Sequence, residues 1–190
     1  MTFRELSITS AVAMLLAIPQ ANAAVSVLGN TVASGCYQAA EFGGNPKDGI
    51  ETCSYAISNE ALSIRDRAAT FINRGILRSR ASDPKGALDD YDAGLALDAT
   101  LAEGYVDRGA TYIVLQKYDT ALQDINKGIE MGAHKPQIAY YDRAIVNEAL
   151  GNIRGAYEDY KKAVEIAPDF GLATEQLTRF KVIRRRSGGT

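Results

Sequence analysis

Residues 140–168, YYDRAIVNEALGNIRGAYEDYKKAVEIAP, carry the clearest structural pattern in this chain. They predict two amphipathic helices joined at Gly151. In the first helix, apolar or aromatic residues stand three and four positions apart and so share one face; they are Tyr140, Tyr141, Ala144 and Ile145. The second helix ends at Pro168, because proline cannot continue a helix. A helical hairpin this short cannot bury its own apolar face, so it needs neighbours of the same kind.

The same pattern occurs three times along the chain. The alanines of the second helices, 34 and 35 residues apart, are Ala87, Ala121 and Ala156. The first helices repeat at the same offsets, as Phe71-x2-Arg74-Gly75, Tyr105-x2-Arg108-Gly109 and Tyr140-x2-Arg143-Ala144. A period of this length indicates stacked helical hairpins. The three units run over residues 68–101, 102–136 and 137–170.

These units resemble tetratricopeptide repeats. The family pattern has an aromatic residue, a small residue four positions later, an alanine in the second helix, an aromatic four after it, and a closing proline. Small residues let the two helices of a hairpin approach closely. This chain departs from the pattern in three ways: it has no tryptophan, its first two units end in Ala99 and Ala133 instead of proline, and arginine replaces the usual leucine. The resemblance implies an all-α fold, a right-handed α-solenoid of three helix hairpins.

Both ends of such an array expose apolar surface and need caps. Residues 24–67 predict a leader followed by a capping hairpin of two short helices. Residues 171–190 predict a capping helix, extending to Arg184, and a basic tail. Residues 24–33 are expected to be extended or disordered, and their role stays open. The tail arginines either contact anionic lipid or a partner, or simply favour the dipole at the end of the helix.

The two cysteines, Cys36 and Cys53, lie one in each helix of the predicted capping hairpin. Their even number fits an oxidising compartment. A disulfide closing a loop of this size contributes about 3 kcal/mol in the chain-entropy model. The alternatives are two buried free thiols, a redox pair or a metal site. A redox pair usually has C-x-x-C spacing, and a metal site needs more ligands than two thiols and the sole histidine, His134.

Residues 1–23 predict a signal peptide. Arg4 precedes an apolar run of about eleven residues, and Ala21-Asn22-Ala23 is a small-x-small cleavage site. The run is shorter than the roughly 20 apolar residues that span a bilayer. We therefore expect a mature chain that begins at Ala24, has no membrane span and is exported, to the periplasm or, in a host without an outer membrane, to the medium. An uncleaved N-terminal anchor and a disordered start are the alternatives.

The repeated arginine predicts three ion pairs. In each unit an aspartate stands 16 residues after it, as Arg74 and Asp90, Arg108 and Asp124, and Arg143 and Asp159. In an antiparallel hairpin these positions can face one another and form bidentate pairs. The alternative is that the three arginines line an anion site.

The sequence gives no sign of catalysis, a cofactor or a metal site. The net charge of −2 provides no electrostatic case for nucleic-acid binding. His134 lies in a loop between hairpins, and no nucleophile motif accompanies it. We expect a solvated histidine and no enzyme.

The resemblance implies that the first helices line a concave groove that binds a peptide or a partner helix. The predicted groove residues, taken column by column, are Ile72, Asn73, Ile76, Glu103, Val106, Asp107, Ala110, Ile138, Tyr141, Asp142, Ile145 and Glu148. They are mainly acidic or apolar, which suits a basic or amphipathic partner segment. Tyr141, Asp142 and Glu148 are expected to be exposed for binding, although some apolar groove residues can instead pack neighbouring helices.

Two functions from different classes follow. The first is an exported interaction module that binds another protein through this groove. The second is a mainly structural accessory subunit of an envelope complex, with the groove filled by its own leader or tail. The sequence identifies neither the partner nor the oligomeric state.

Overall fold

The computed structural model describes residues 4–8, 22–27, 29 and 31–184. Within these ranges the chain forms nine helices and two short strands. In chain order they are β1 (Arg4–Ile8), α1 (Val32–Phe42), α2 (Pro46–Asn59), α3 (Ile64–Arg80), α4 (Pro84–Leu97), α5 (Ala102–Val114), α6 (Tyr118–Glu130), α7 (Pro136–Ala149), α8 (Ile153–Ile166), α9 (Gly171–Leu177) and β2 (Phe180–Arg184). No helix of the described part is long and apolar enough to cross a bilayer.

The repeat region folds into helix pairs. Helix α3 packs against α4, α5 against α6, and α7 against α8, and each pair contacts the next through α4 with α5 and α6 with α7. Local sequence starts several of these helices. Asp83 accepts a hydrogen bond from the Gly86 amide at 2.9 Å and Pro84 follows it at the first helical position. Asn152 caps α8 in the same way, through the Gly155 amide at 3.1 Å.

The small residues of the repeat allow the two helices of a pair to pack closely against each other. A Cβ atom added to Gly75 would lie 2.7 Å from the Tyr91 ring, and one added to Gly109 would lie 2.6 Å from the Ile125 side chain. Tyr91 and Ile125 are fully buried, so neither has room to move away. Glycine is therefore required where α3 meets α4 and where α5 meets α6.

The three predicted ion pairs are present, and all three are bidentate. Nε and Nη2 of each arginine donate to the two carboxylate oxygens at 2.9 and 2.7 Å for Arg74 and Asp90, 2.7 and 2.8 Å for Arg108 and Asp124, and 2.9 and 2.7 Å for Arg143 and Asp159. Each guanidinium also lies 5.2 to 5.5 Å from the ring of the aromatic residue three positions earlier. The arginines join the two helices of a hairpin, and the alternative of an anion site finds no support because their donors face these aspartates.

The predicted N-terminal capping hairpin is also present. Helices α1 and α2 pack on each other, and α2 packs on α3. A disulfide joins Cys36 and Cys53, whose Cα atoms are 4.8 Å apart, and both side chains are fully buried. The disulfide thus replaces the free-thiol, redox and metal alternatives for these cysteines.

The C-terminal end differs from its prediction. The capping helix was expected to reach Arg184, but α9 ends at Leu177, and residues 180–184 form strand β2. This strand pairs antiparallel with β1, with Leu6 opposite Val182. The sequence here is compatible with a strand as well as with a helix, because aromatic and β-branched residues such as Phe180, Val182 and Ile183 favour strands. β1 lies inside the predicted signal peptide, most of which falls outside the described residues.

Candidate functional site

Three equivalent polar residues mark one face of the first helices. Asn73 in α3, Asp107 in α5 and Asp142 in α7 stand 34 and 35 residues apart, at the same position of successive units. Helices α3, α5 and α7 contact one another along this face. We call the face that holds these three residues the first-helix face. All three side chains are buried, which is unusual for polar residues and requires hydrogen-bond partners.

The chain's own N-terminal segment, residues 22–27, supplies partners for two of them. The Val25 amide donates to Asn73 Oδ1 at 2.8 Å, and Asn73 Nδ2 donates to the Val25 carbonyl at 2.7 Å. One side-chain amide therefore satisfies both backbone groups of a single residue, as a neighbouring strand would in a sheet. Both bonds are buried and join residues 48 positions apart.

Asp107 binds the same segment two residues earlier. Its Oδ1 accepts a hydrogen bond from the Ala23 amide at 3.1 Å and a longer one from Asn22 Nδ2 at 3.5 Å. From Asn73 in one repeat to Asp107 in the next, the contacted residue of the segment therefore shifts by two positions, from Val25 to Ala23. Because side chains alternate along an extended chain, this step keeps the same side of the segment against the helices.

The burial pattern confirms this alternation. Ala23, Val25 and Val27 are buried, whereas Ser26 between the two valines is exposed. Val25 and Val27 belong to the apolar cluster that includes Ile72 and Ile76, and Ala23 belongs to the cluster of α5 and α7. The N-terminal segment therefore contributes apolar side chains to the core as well as backbone hydrogen bonds.

The electrostatics of the face are unusual because its acids are buried. Burial raises the pKa of Asp107 to about 7, against the hydrogen bonds from Ala23 and Asn22, which lower it. Burial raises the pKa of Asp142 as well, and the charge on Asp107 adds to that shift. Within the described residues, Oδ2 of each of these two carboxyl groups is buried and has no hydrogen-bond partner.

The remaining acids of the predicted groove have partners. Glu103 is buried and accepts from the backbone amide of His134 at 2.9 Å, and the ring Nδ1 lies 2.5 Å away. Burial raises the pKa of Glu103, but these contacts outweigh it and the net shift is downward. The His134 ring itself is 86% exposed. Glu148 is half-buried and pairs with Arg179 at 2.8 Å.

Tyr141 was predicted to be exposed for binding, and this prediction is wrong. The side chain is only 1% exposed, and its ring lies 5.7 Å from that of Tyr160 and 5.5 Å from that of Phe170. Tyr141 therefore fills the space between α7, α8 and the start of α9. Asp142, also predicted to be exposed, is buried.

Most other predicted groove residues are also covered. The buried ones, apart from the tyrosine and the acids described above, are Ile72, Asn73, Ile76, Val106, Ala110, Ile138 and Ile145. Packing between helices and the N-terminal segment together account for their burial. The prediction left open whether apolar groove residues pack neighbouring helices, and for these residues the packing alternative is the observed one.

A groove filled by the chain's own leader was one predicted alternative, but the individual residues of the N-terminal segment that enter the face were not predicted. Alternation of valine and serine in Val25-Ser26-Val27 is the signal of a half-buried strand, but the run is very short and lies beside a predicted cleavage site. No group of three or more potential metal ligands occurs in the described part of the chain.

Comparison with known proteins agrees with this architecture. A sequence model described as tetratricopeptide repeat matches residues 138–170, which contain α7 and α8. The chain thus contains a tetratricopeptide repeat. Serine/threonine-protein phosphatase 5 of Rattus norvegicus is 33% identical to it over 90 residues, which are 47% of this chain and 18% of the phosphatase. The chain spans 18 to 19% of the length of the first curated relatives that it matches.

Solved tetratricopeptide structures share the fold. The crystal structure of MamA superposes with a TM-score of 0.60 at 19% identity, over 79% of this chain and 82% of MamA. The first tetratricopeptide domain of Spaghetti (RPAP3), bound to the HSP90 peptide SRMEEVD, superposes with a TM-score of 0.55 at 24% identity, over 58% of this chain and 89% of that domain. At these identities the likeness establishes the fold alone.

Proposed function

We propose that this protein is an exported, non-enzymatic interaction module whose first-helix face binds an extended peptide segment. In this proposal the three hairpins form a right-handed solenoid, and the first-helix face is its inner surface. Residues 22–27 are the occupant in the unprocessed chain and residues 24–27 after cleavage. A segment of a partner protein that uses the same face has to displace them.

The observation that carries the proposal is the pair of hydrogen bonds between Asn73 and the Val25 backbone. These bonds recognise a peptide group and not a side chain, so on their own they exclude only proline at this position. Backbone hydrogen bonds of this kind supply affinity in strand-like peptide recognition, and pockets for alternate side chains supply specificity.

The occupant's side chains indicate what such a segment requires. Ala23, Val25 and Val27 face the helices and are buried, so the face accepts small apolar residues at alternate positions. Asp107 and Asp142 offer buried carboxyl oxygens without a hydrogen-bond partner in the described residues, which favours a segment with a donor group, such as an ammonium, near its end. The Spaghetti (RPAP3) domain, which shares the fold, holds a peptide, and this supports peptide binding here.

Export is supported by two features of the chain. The disulfide between Cys36 and Cys53 is of the kind that persists in oxidising compartments. The apolar run followed by Ala21-Asn22-Ala23 has the pattern of a secretory signal. We propose the periplasm as the compartment if the host has an outer membrane.

A second function is favoured by the occupied face. If residues 22–27 never leave, the N-terminal segment is part of the core, and the protein is a structural accessory subunit that uses other surfaces. The buried Val25 and Val27 side chains give the segment the apolar contacts that such a permanent role requires.

Matched variants of neighbouring residues separate the two functions. Val25→Asp places a charge in the apolar cluster and should expel the segment, whereas Ser26→Asp adds the same charge at an exposed position and serves as the control. Partners are captured by crosslinking in the native compartment. An interaction module captures more partner with Val25→Asp than with Ser26→Asp, and loses that gain when Asn73→Ala is added.

An unchanged set of partners in both the single and the double variant would refute binding at this face. If Val25→Asp lowers the melting temperature while the partner set stays the same, the structural role is the correct one.

A further inference from the structure

Within the described residues, two buried carboxyl groups on the first-helix face have no arginine or lysine hydrogen-bonded to them. Asp107 is 0% exposed and Asp142 is 4% exposed, and Oδ2 of each has no hydrogen-bond partner within the described residues. The other buried aspartates of the repeats, Asp90, Asp124 and Asp159, each receive a bidentate arginine. A buried carboxylate that keeps its charge requires a cation or several donors.

The N-terminal segment brings a backbone nitrogen close to Asp107. The Ala23 nitrogen lies 3.1 Å from Asp107 Oδ1, and as a peptide amide it offers a single proton. This nitrogen is one residue before Ala24, the predicted first residue of the processed chain. Cleavage there would leave a primary ammonium, with three donors and a positive charge, beside the buried acids.

We propose that Asp107 and Asp142 bind the α-ammonium group of the chain's own N-terminus once residues 1–23 have been removed. A processing peptidase hydrolyses the Ala23–Ala24 bond, which consumes one water and leaves a carboxylate on Ala23 and an ammonium on Ala24. The inference rests on the proposed export and on the occupancy of the first-helix face by the N-terminal segment.

The geometry requires only a small movement. Successive backbone nitrogens of an extended chain are about 3.5 Å apart, so the Ala24 ammonium starts within that distance of the place vacated by the Ala23 amide. Val25 remains held on α3 by both of its hydrogen bonds to Asn73, so Ala24 stays one residue from the anchored position. Departure of Asn22 and Ala23 opens space at Asp107 for the ammonium to enter.

Tethering favours the chain's own terminus over a cation from a partner. An ammonium on Ala24, one residue from the anchored Val25, has a very high effective concentration at the site, whereas a lysine of another protein must bind from solution. In addition, the chain's own ammonium group forms at the moment when the signal peptide is cleaved off. Processing would then couple export to a final locking of the N-terminal segment.

The direct test measures the pKa of the α-amino group in the exported, processed protein. The N-terminus is confirmed as Ala24 by mass spectrometry and labelled by reductive methylation with carbon-13, so that its titration is followed by NMR. An unperturbed α-amino group has a pKa of about 7.7 to 8.0. We expect a value at least about one pH unit higher in the wild type, and a correspondingly slower acylation of the α-amine at neutral pH.

Two carboxamide variants and a control locate the effect. Asp107→Asn and Asp142→Asn preserve shape while removing charge, and together they should return the pKa to its ordinary range. Asp119→Asn removes an exposed carboxylate of α6 and should leave the elevated pKa unchanged. An ordinary pKa in the wild type, or an elevated pKa that persists in the double variant, would overturn the inference.

A second measurement keeps this result separate from the proposed function. If the Val25 amide is protected from hydrogen exchange while the α-amine titrates normally, the segment occupies the face and only the ammonium site is wrong. If the Val25 amide is unprotected, the occupancy on which both proposals depend is wrong.

Discussion

Two columns of buried polar residues, one of three aspartates and one of an asparagine and two aspartates, repeat every 34 to 35 residues in this protein, and their surroundings are opposite. Asp90, Asp124 and Asp159 on the second helices each meet an arginine that donates two hydrogen bonds. On the first-helix face, Asn73, Asp107 and Asp142 meet no arginine in the described structure, and two of them bind the backbone of residues 22–27.

The difference separates structural acids from acids available to a ligand. The arginine-paired set has its charge neutralised inside each hairpin, so it joins two helices and leaves nothing for a partner to bind. Within the described residues, Oδ2 of Asp107 and Oδ2 of Asp142 are buried without a hydrogen-bond partner, an arrangement that destabilises the protein unless a ligand completes it. Aspartates at the same repeat spacing therefore have two different roles.

The largest effect is expected from breaking the arginine-paired set at its most buried member. Asp90 accepts from Arg74 at 2.7 Å and pairs with Arg78 at 3.1 Å, and its side chain is 3% exposed. Asp90→Leu leaves two guanidinium groups without their carboxylate, which should lower the free energy of unfolding by about 3 kcal/mol. Urea denaturation measures this loss, and a change within error would show that the pairs contribute no stability.

A smaller loss is expected from Asn73→Ala on the first-helix face. The Val25 amide and carbonyl lose their partners, which should cost about 2 kcal/mol because the freed segment regains hydrogen bonds with water. Asn126→Ala is the matched control, since it removes one hydrogen bond to Arg143 beside the arginine-paired set. Equal losses in the two variants would mean that the first-helix asparagine has no special role.

An effect of opposite sign, a gain in stability above neutral pH, is expected from Asp107→Asn in the full chain. The pKa of Asp107 is raised to about 7, so its folded form binds a proton that the unfolded form releases near its ordinary value of about 3.9. Its contribution to stability is present below the unfolded pKa and is lost as the pH rises towards about 7, by up to about 1.4 kcal/mol per pH unit.

The variant should flatten this dependence and be the more stable protein above neutral pH. The charged or titratable groups that act on Asp107 are Glu103 on its own helix, Arg80 at the end of α3 and Asp142 on α7. Asp119→Asn is the exposed control and should preserve the wild-type profile. If stability depends on pH in the same way in Asp107→Asn and in the wild type, then burial does not raise the pKa of Asp107.

The repeated features of the fold could be predicted from the sequence. Period, small residues and the arginine with its aspartate 16 positions later predicted the hairpins and all three ion pairs, because each depends on local spacing. Cys36 and Cys53 predicted the disulfide for the same reason. The end of α9 was not predictable in this way, since Phe180-Lys181-Val182-Ile183 fits either a helix or a strand and its pairing partner lies some 175 residues away.

The occupied face was beyond local reasoning as well. The column of Asn73, Asp107 and Asp142 was found correctly, but its burial depends on residues 22–27, which contact α3 and α5 across 48 and 84 positions of sequence. Tyr141 was misplaced because an amphipathic pattern does not distinguish the side of a helix that faces its own hairpin from the side that faces the next one.

Amide hydrogen exchange at Val25 tests whether the N-terminal segment occupies the first-helix face. In the wild type the Val25 amide donates to a buried Asn73 oxygen at 2.8 Å, so it should exchange far more slowly than in an unstructured peptide, and the neighbouring Ser26 provides an exposed reference. Asn73→Ala should abolish that protection while the amides of α8 keep theirs. A Val25 amide that exchanges at the unstructured rate in the wild type would contradict the account.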